Sequence, residues 1–381
     1  MASKPILLDY QSSTPCLDQV IESMNPYWNE IFANPSNRNN LAGISASAAL
    51  EVSREKIIRM LHIKDKKVIF TSGATESNNL ALLGFARNFH QKSGKYGNII
   101  TLKTEHNAVL EPLRQLKKEG FNITEIKPEE DGLITKEKFI NALKPDTFLV
   151  TIMVANNEIG VIQPVEMISN ICNSRGIVFH TDAAQSLGYM PFEAFNLSAD
   201  MITLSSHKIY GPKGAGALIV DKSISLSPLL HGGGQEFGLR AGTIPLPLIV
   251  GFVKAIELAI LRQVSNKIQL QTHRNYLLKG LLENNSDIYV NGSMSKRLPH
   301  NLNITFPNVP GSLLHKKLKA KIICSSGSAC SNGKPSHVLL ALGRSFKEAE
   351  SSIRLSIGLM TKSEEIEESV QIISDIVKSL R

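Results

Sequence analysis

A chain of 381 residues is longer than one simple core usually serves, and at about 100–200 residues per domain it predicts two. Its 42% hydrophobic and 20% charged residues exclude a disordered or fibrous protein, and the net charge of +8 comes from scattered lysines without a basic run interleaved with aromatics, a solvated surface that predicts no nucleic-acid partner and suits an acidic protein partner. No stretch approaches the ~20 apolar residues of a membrane span, the N-terminal apolar run is too short for a signal peptide, and Cys16, Cys172, Cys324 and Cys330 form no disulfide framework, so a reducing, cytoplasmic setting is expected.

From residue 66 to 220, strand-like and helix-like segments alternate. Short β-rich runs fall at 68–71, 98–102, 147–154, 177–180, 201–204 and 215–220, with helical spacings such as Leu80, Leu83 and Ala86 between them. The alternation predicts an α/β fold with a mainly parallel sheet buried on both faces. Ligands of such sheets bind at the carboxyl ends of strands. Ser72 to Thr75, Asn156 and Asn157, Asp182 and Lys208 each follow one of these runs. After the glycines at 232–234 the pattern changes. Residues 246–283 read as long amphipathic helix bridging to a smaller α+β unit, with strands at 302–306 and 322–324, a helix at 312–318 and further helices toward the end.

Lys208 lies in Ser-Ser-His-Lys-Ile-Tyr-Gly-Pro-Lys-Gly, between an apolar run and a glycine-rich turn. An amine at a strand exit can form a Schiff base with an aldehyde cofactor, while Ser205 and His207 can bond a phosphate. The loop Thr-Ser-Gly-Ala-Thr-Glu-Ser-Asn-Asn at 71–79 is small enough for backbone amides to approach a phosphate at a helix start, with Ala74 and Thr75 at its centre. By itself that loop reads more readily as an ordinary helix N-terminus with a capping hydroxyl. Asp182 can pair with a protonated pyridine nitrogen, and Gln185 can bond a phenolic oxygen. His106, in Thr-Glu-His-Asn-Ala-Val, can stack on a pyridine face and move protons. Asn157 can bond the cofactor or a substrate carboxylate. Arg354, on an apolar strand-like run, needs an anion, either an amino-acid carboxylate or a structural ion pair. Cys330, in a loop of Ser, Gly and Asn ending at Pro335, suits a sulfur nucleophile, whereas Cys324 closes an apolar run and reads as buried. The spacing of these two cysteines is not that of a metal pair.

Together these segments resemble the cysteine desulfurases of the class-V aminotransferase fold. The resemblance runs from Leu8 to the segment around Arg354. Its other signatures are Asn-Pro-Ser at 34–36, Asn-Asn-Glu-Ile-Gly at 156–160, Arg-Ala-Gly-Thr at 240–243 and Ser-Ser-Gly-Ser-Ala-Cys at 325–330. It implies a fold-type-I enzyme dependent on pyridoxal 5'-phosphate, with a large domain over 15–260 and a small domain made of 1–14 with 261–381. By the same resemblance Lys208, His106 and Cys330 are catalytic. Ala74, Thr75, His106, Asn157, Asp182, Gln185, Ser205, His207, Lys208 and Thr243 hold the cofactor, Thr243 from the neighbouring subunit of a homodimer. Arg354, Asn157 and Asn34 bind the substrate. L-Cysteine would yield L-alanine and a persulfide on Cys330, for transfer to an acceptor protein of iron–sulfur cluster assembly or thiolation. Departures from the family are a Cys330 loop about two residues shorter and Asn39-Asn40 where a histidine is common. The chain also lacks a longer C-terminal tail. The competing readings are a selenocysteine or cystine lyase or a related aminotransferase, which would not depend on Cys330, and a cofactor-free scaffold.

Overall fold

The computed structural model describes residues 4–192, 199–326 and 335–381. In chain order its strands are β1 (Ile6–Leu7), β2 (Lys66–Thr71), β3 (Asn98–Leu102), β4 (Asn122–Ile126), β5 (Thr147–Thr151), β6 (Val178–Asp182), β7 (Met201–Ser205), β8 (Gly216–Asp221), β9 (Tyr289–Val290), β10 (Asn301–Thr305), β11 (Ile322–Ile323), β12 (Ser325–Ser326) and β13 (Ser352–Ser356).

Among the described residues the largest sheet has seven strands in the order β2-β8-β7-β6-β5-β3-β4. From β7 to β4 every neighbour is parallel. β3 and β7 are buried at every position, the uniform apolar reading of a sheet covered on both faces. β8 runs antiparallel to both β7 and β2. The reason is chain length: a parallel crossover needs a dozen or more residues, and only 206–215 separate β7 from β8. Lys208 sits in that short connection, at the end of a 3-10 turn, Ser206–Lys208. β4, half exposed at the sheet edge, has no counterpart among the expected strands because its alternation is too polar to register.

The stretch read as one helix at 246–283 is two, Leu246–Leu261 and Gln263–Asn284, parted at Arg262 (φ −101°, ψ 7°). No glycine or proline forces the break. The first helix buries Ile249, Phe252 and Ile256 in the core under the large sheet. The second buries Leu270, Leu277 and Leu281 in a separate apolar cluster with Leu302, Ile304, Ile353 and Val377. That second cluster takes in Ile6 and Leu8, because β1 pairs in parallel with β11. A four-stranded antiparallel sheet, β12-β13-β10-β9, lies beside it. Asn40, in the segment lacking the common histidine, caps the helix Leu41–Met60 by accepting from the Gly43 amide at 2.8 Å. Among the described residues no helix is long and apolar enough to cross a membrane, and no His/Cys/Asp/Glu group could hold a metal ion.

One buried ion pair fastens the loop after residue 231 to the sheet. Glu236, its side chain 1% exposed, accepts from Arg54 at 2.8 and 2.9 Å and from the Phe70 amide of β2 at 2.7 Å. Glu236 and Phe237 are held at φ 48° and 60°, a left-handed conformation this anchoring must sustain. Removing one partner strands a buried charge. Glu236→Ala is expected to cost about 3–5 kcal/mol, measured as a shift of the denaturant unfolding midpoint.

Candidate active site

At the carboxyl ends of the parallel strands lies a cavity of about 660 Å³, a size typical of small-molecule sites. On one wall the helix Ala74–Ser93 begins directly after β2. Its N-cap is Gly73, at φ 148°, and no side chain caps it. A Cβ on Gly216 would stand 2.6 Å from the Gly73 Cα, so the close approach of β8 to this turn requires glycine. The first amides of this 20-residue helix are thus presented uncapped beside the cavity, where Ala74 and Thr75 are lining residues. Glu76 steadies the turn: it accepts from the Ser72 amide at 2.7 Å and from Arg240 Nε at 2.9 Å. Burial alone would raise its carboxyl, but those hydrogen bonds outweigh it and hold the pKa below the ordinary glutamate value.

Asp182 ends β6. It is 7% exposed, with Oδ2 accepting from Asn78 Nδ2 at 2.7 Å and Oδ1 from the Ala184 amide at 2.9 Å. Asn78 reaches it from the start of the second turn of the helix that begins at Ala74. Gln185, the residue after that amide, donates from Nε2 to the Gln11 carbonyl at 3.2 Å. Lys208 Nζ donates to the carbonyls of Gln11 and Ser12 at 2.8 and 2.7 Å. Behind Lys208, the Tyr189 hydroxyl donates to its carbonyl at 3.3 Å, and Tyr189 stacks on His300 at 3.9 Å. His207 contacts the Ser13 hydroxyl at 3.2 Å, and burial, followed by Lys208 and Lys213, depresses its pKa to about 4.

His106 caps the helix Asn107–Glu119. Its Nδ1 accepts from the Ala108 amide at 3.0 Å, so the neutral ring carries its proton on Nε2. Burial lowers its pKa, Asp182 opposes that, and Lys208, His337 and Arg354 add to it. The imidazole is therefore a neutral base near pH 7. Arg354, on β13 and 6% exposed, donates to the Asn157 carbonyl at 2.7 Å, Asp9 Oδ1 at 2.6 Å and Ser12 Oγ at 2.9 Å. Its buried Nε has no protein partner. The arginine thus makes a structural ion pair and still keeps one donor unused.

Nine of the residues singled out from the sequence line this one cavity: Ala74, Thr75, His106, Asn157, Asp182, Gln185, His207, Lys208 and Arg354. Ser205, at the end of β7, is buried outside its lining, with no protein partner for its hydroxyl. Thr243 is exposed and does not line it. Asn34 is exposed and accepts from the Ser36 amide at 2.9 Å in a local turn. Cys330 lies outside the described residues, but Ser325, Ser326 and His337 on either side of its segment line the cavity. Cys324, read as buried, is only partly so, and burial pushes its thiol up to about 12, as it does that of Cys172. Sequence reasoning missed Asn78, Glu158 and the 11–13 segment. Asn78 carried a signal, since it stands in the 71–79 motif; Gln11 and Ser12 carried none, because only the β1–β11 pairing brings them here.

The sequence pattern described as "Aminotransferase class-V" matches residues 6–368. A protein named cysteine desulfurase IscS from Methylobacillus flagellatus is 44% identical over 99% of this chain and 93% of its own length. A solved structure titled "NIFS-LIKE PROTEIN" superposes with a TM-score of 0.91 at 34% identity, covering 99% of this chain and 100% of that one. Another, titled "SspA in complex with cysteine", reaches a TM-score of 0.79 at 38% identity, covering 92% and 98%.

Burial depresses the pKa of His180 and of His300 to about 3. His180 sits between Thr151 and Thr203 on adjacent strands, at 2.8 and 3.1 Å. As pH falls below the ordinary value of 6.5, the unfolded chain binds these protons and the folded chain does not. The stability from keeping both rings neutral is complete above 6.5 and is lost between 6.5 and about 3, at up to about 1.4 kcal/mol per group per pH unit. Denaturant midpoints are expected to fall from pH 7 to pH 5. His300→Phe keeps the ring stacked on Tyr189, removes one of the two groups, and is expected to narrow that fall.

Proposed function

The chain belongs to the class-V aminotransferase family, and from that premise we propose that it is a cysteine desulfurase that takes sulfur from L-cysteine, releases L-alanine and keeps the sulfur as a persulfide on Cys330. The observation that carries this reading is convergence. One cavity is lined by Lys208, Asp182, His106 and Arg354, and also by Ser326 and His337, which flank the segment holding Cys330. Four residues of chain span at most about 14 Å, so the Cys330 thiol is tethered within reach of the cavity mouth.

The residues present fit pyridoxal 5'-phosphate. The uncapped helix start with Ala74 and Thr75 suits a phosphate, joined by His207 and the unpartnered hydroxyl of Ser205. Asp182, already oriented by Asn78 and the Ala184 amide, suits a protonated pyridine nitrogen, and Gln185 a phenolic oxygen. His106 and Asn157, which line the same cavity, would hold the cofactor's ring. Bound there, the cofactor supplies an aldehyde for an amine and a ring that accepts electrons from the neighbouring carbon. The chain's own residues do the rest. Lys208 is held at the cavity wall by two carbonyls, close enough to give up its place to a substrate amine. Arg354, with its unused Nε, takes the substrate carboxylate, alongside Asn157. Lys208 or neutral His106 removes the α-proton and returns a proton to the carbon that loses sulfur. The carbon–sulfur bond of cysteine breaks as a sulfur–sulfur bond forms at Cys330.

With this reading go the division into 15–260 and 1–14 with 261–381, which the two separate apolar clusters support, and a homodimer in which Thr243 serves the neighbouring site. The exposure of Thr243, away from its own cavity, suits that role. Asn34, also exposed, can assist the substrate only through loop closure or the second subunit. A cytoplasmic setting and a protein acceptor for the persulfide complete the proposal.

Borohydride treatment of the protein loaded with pyridoxal phosphate is expected to fix the vitamin on Lys208, seen by peptide mass spectrometry; absence of that adduct overturns the reading. Cys330→Ser is expected to keep the visible absorption of the cofactor and to lose the added sulfur mass found after cysteine treatment. A variant that still accumulates persulfide and alanine excludes Cys330 as the acceptor.

A further inference from the structure

Glu158 faces the same cavity and has no role in the scheme above. It lines the cavity, is 6% exposed, and its Oε1 has no protein partner. Its position is rigid. The Glu158 amide donates to Asn156 Oδ1 at 2.8 Å, and its carbonyl accepts from Asn301 and Asn303 at 3.1 and 3.3 Å. The preceding residue, Asn157, gives its carbonyl to Arg354 at 2.7 Å, which keeps Glu158 next to the guanidinium. Two buried polar atoms on this wall therefore lack protein partners, the acceptor Glu158 Oε1 and the donor Arg354 Nε. A carboxylate entering here would satisfy Nε and would meet Glu158 as a like charge, unless Glu158 were a neutral acid and therefore a donor.

We infer that Glu158 takes up one proton from solvent when a carboxylate docks beside Arg354, and as the neutral acid donates a second hydrogen bond to that carboxylate; the inference rests on the reading of Arg354 as the carboxylate site. The surroundings favour the uptake. Burial raises Glu158 to about 7 against the opposing Ser336 hydrogen bond and the Arg354 charge, so the free site is poised between its two forms at neutral pH. A docked anion offsets the Arg354 charge and pushes Glu158 further toward the acid. The other charged or titratable groups on the packed elements are Asp9 beside Arg354, His337 after Ser336, and Glu105 and His106 opposite. Asp182 and Lys208 also line the cavity. Glu105 is fully buried and raised well above its ordinary value, so it stays neutral through this range. His106 is lowered and stays uncharged. Of the two buried carboxyls here, Glu105 and Glu158, Glu158 is the one whose charge changes near pH 7.

The probe is propionate, which has a carboxylate but neither amine nor thiol and stays ionised from pH 6 to 9. Calorimetric titration of the cofactor-loaded protein, in two buffers of different ionisation heat, reads affinity and proton uptake together. The wild-type protein is expected to bind with uptake of up to one proton and to lose up to about tenfold in affinity per pH unit above 7. Glu158→Gln, a permanent neutral donor of the same shape, is expected to keep its pH 6 affinity at pH 8 and to take up no proton. Wild-type binding without proton uptake, or no binding at all, overturns the inference without any variant. So does a Glu158→Gln protein that retains the wild-type pH dependence, which would place the proton on His337 or another group. Desulfuration of L-cysteine by the wild type, assayed alongside as alanine, reports separately on the proposed activity.

Discussion

A six-residue stretch, 9–14, which turns at residues 10–12, holds the site together. Its carbonyls at Gln11 and Ser12 accept from Lys208, and the Gln11 carbonyl also accepts from Gln185. Asp9 and the Ser12 hydroxyl hold Arg354, the Ser13 hydroxyl meets His207, and the Thr14 amide donates to the His207 carbonyl at 2.9 Å. Gln11 Oε1 accepts from Asn301 at 2.6 Å. Lys208 follows the large sheet and Arg354 belongs to the small one, so these contacts set the distance between the amine and the guanidinium. A cation buried without compensation is costly, and two lie here within one cavity. Backbone carbonyls and one carboxylate offset them, and they do so only while β1 stays paired with β11.

That dependence explains what could be read from the sequence and what could not. Lys208, Asp182, His106 and the 71–79 turn were legible because each follows a strand, and a parallel sheet presents all its carboxyl ends on one side. The period of apolar residues located β3 to the residue and most other central strands within two or three. The orientation of β8 was not legible from its composition. It follows from the length of the Lys208 connection, a constraint of chain geometry that no apolar pattern records. Gln11 and Ser12 escaped for the opposite reason, since their part comes from pairing across more than 300 residues and their side-chain types advertise nothing. The break at Arg262 belongs to the same class: both halves of 246–284 favour helix, and only the presence of two cores makes the chain turn between them.

The electrostatics of the cavity divide labour by burial. Two donors, Asn78 and the Ala184 amide, are built against the Asp182 carboxylate and fix its orientation. Glu76 keeps its charge through Ser72 and Arg240, and by doing so ties the 231–243 loop to the helix start. His106 and His207 are pushed neutral by burial and by neighbouring cations, in His106 against the opposing charge of Asp182. A neutral imidazole and an oriented carboxylate thus line the same cavity. The same rule, applied to residues of one kind, separates base from counter-ion.

Burial also decides which thiol can do chemistry. Cys172 and Cys324 are pushed to about 12, and Cys16 is raised as well, first by burial. A thiol at that value is almost wholly protonated at neutral pH, and the thiolate is the nucleophile. Cys324 lines up in sequence with the site but pays for its contact with the small core by losing reactivity, with Asp9 adding to the effect of burial. A sulfur acceptor must instead be deprotonated with little cost, reach the cavity, and afterwards hand its sulfur to another molecule. Those demands exclude a packed position such as that of Cys324; Ser326 and His337, which flank Cys330 in the sequence, line the cavity.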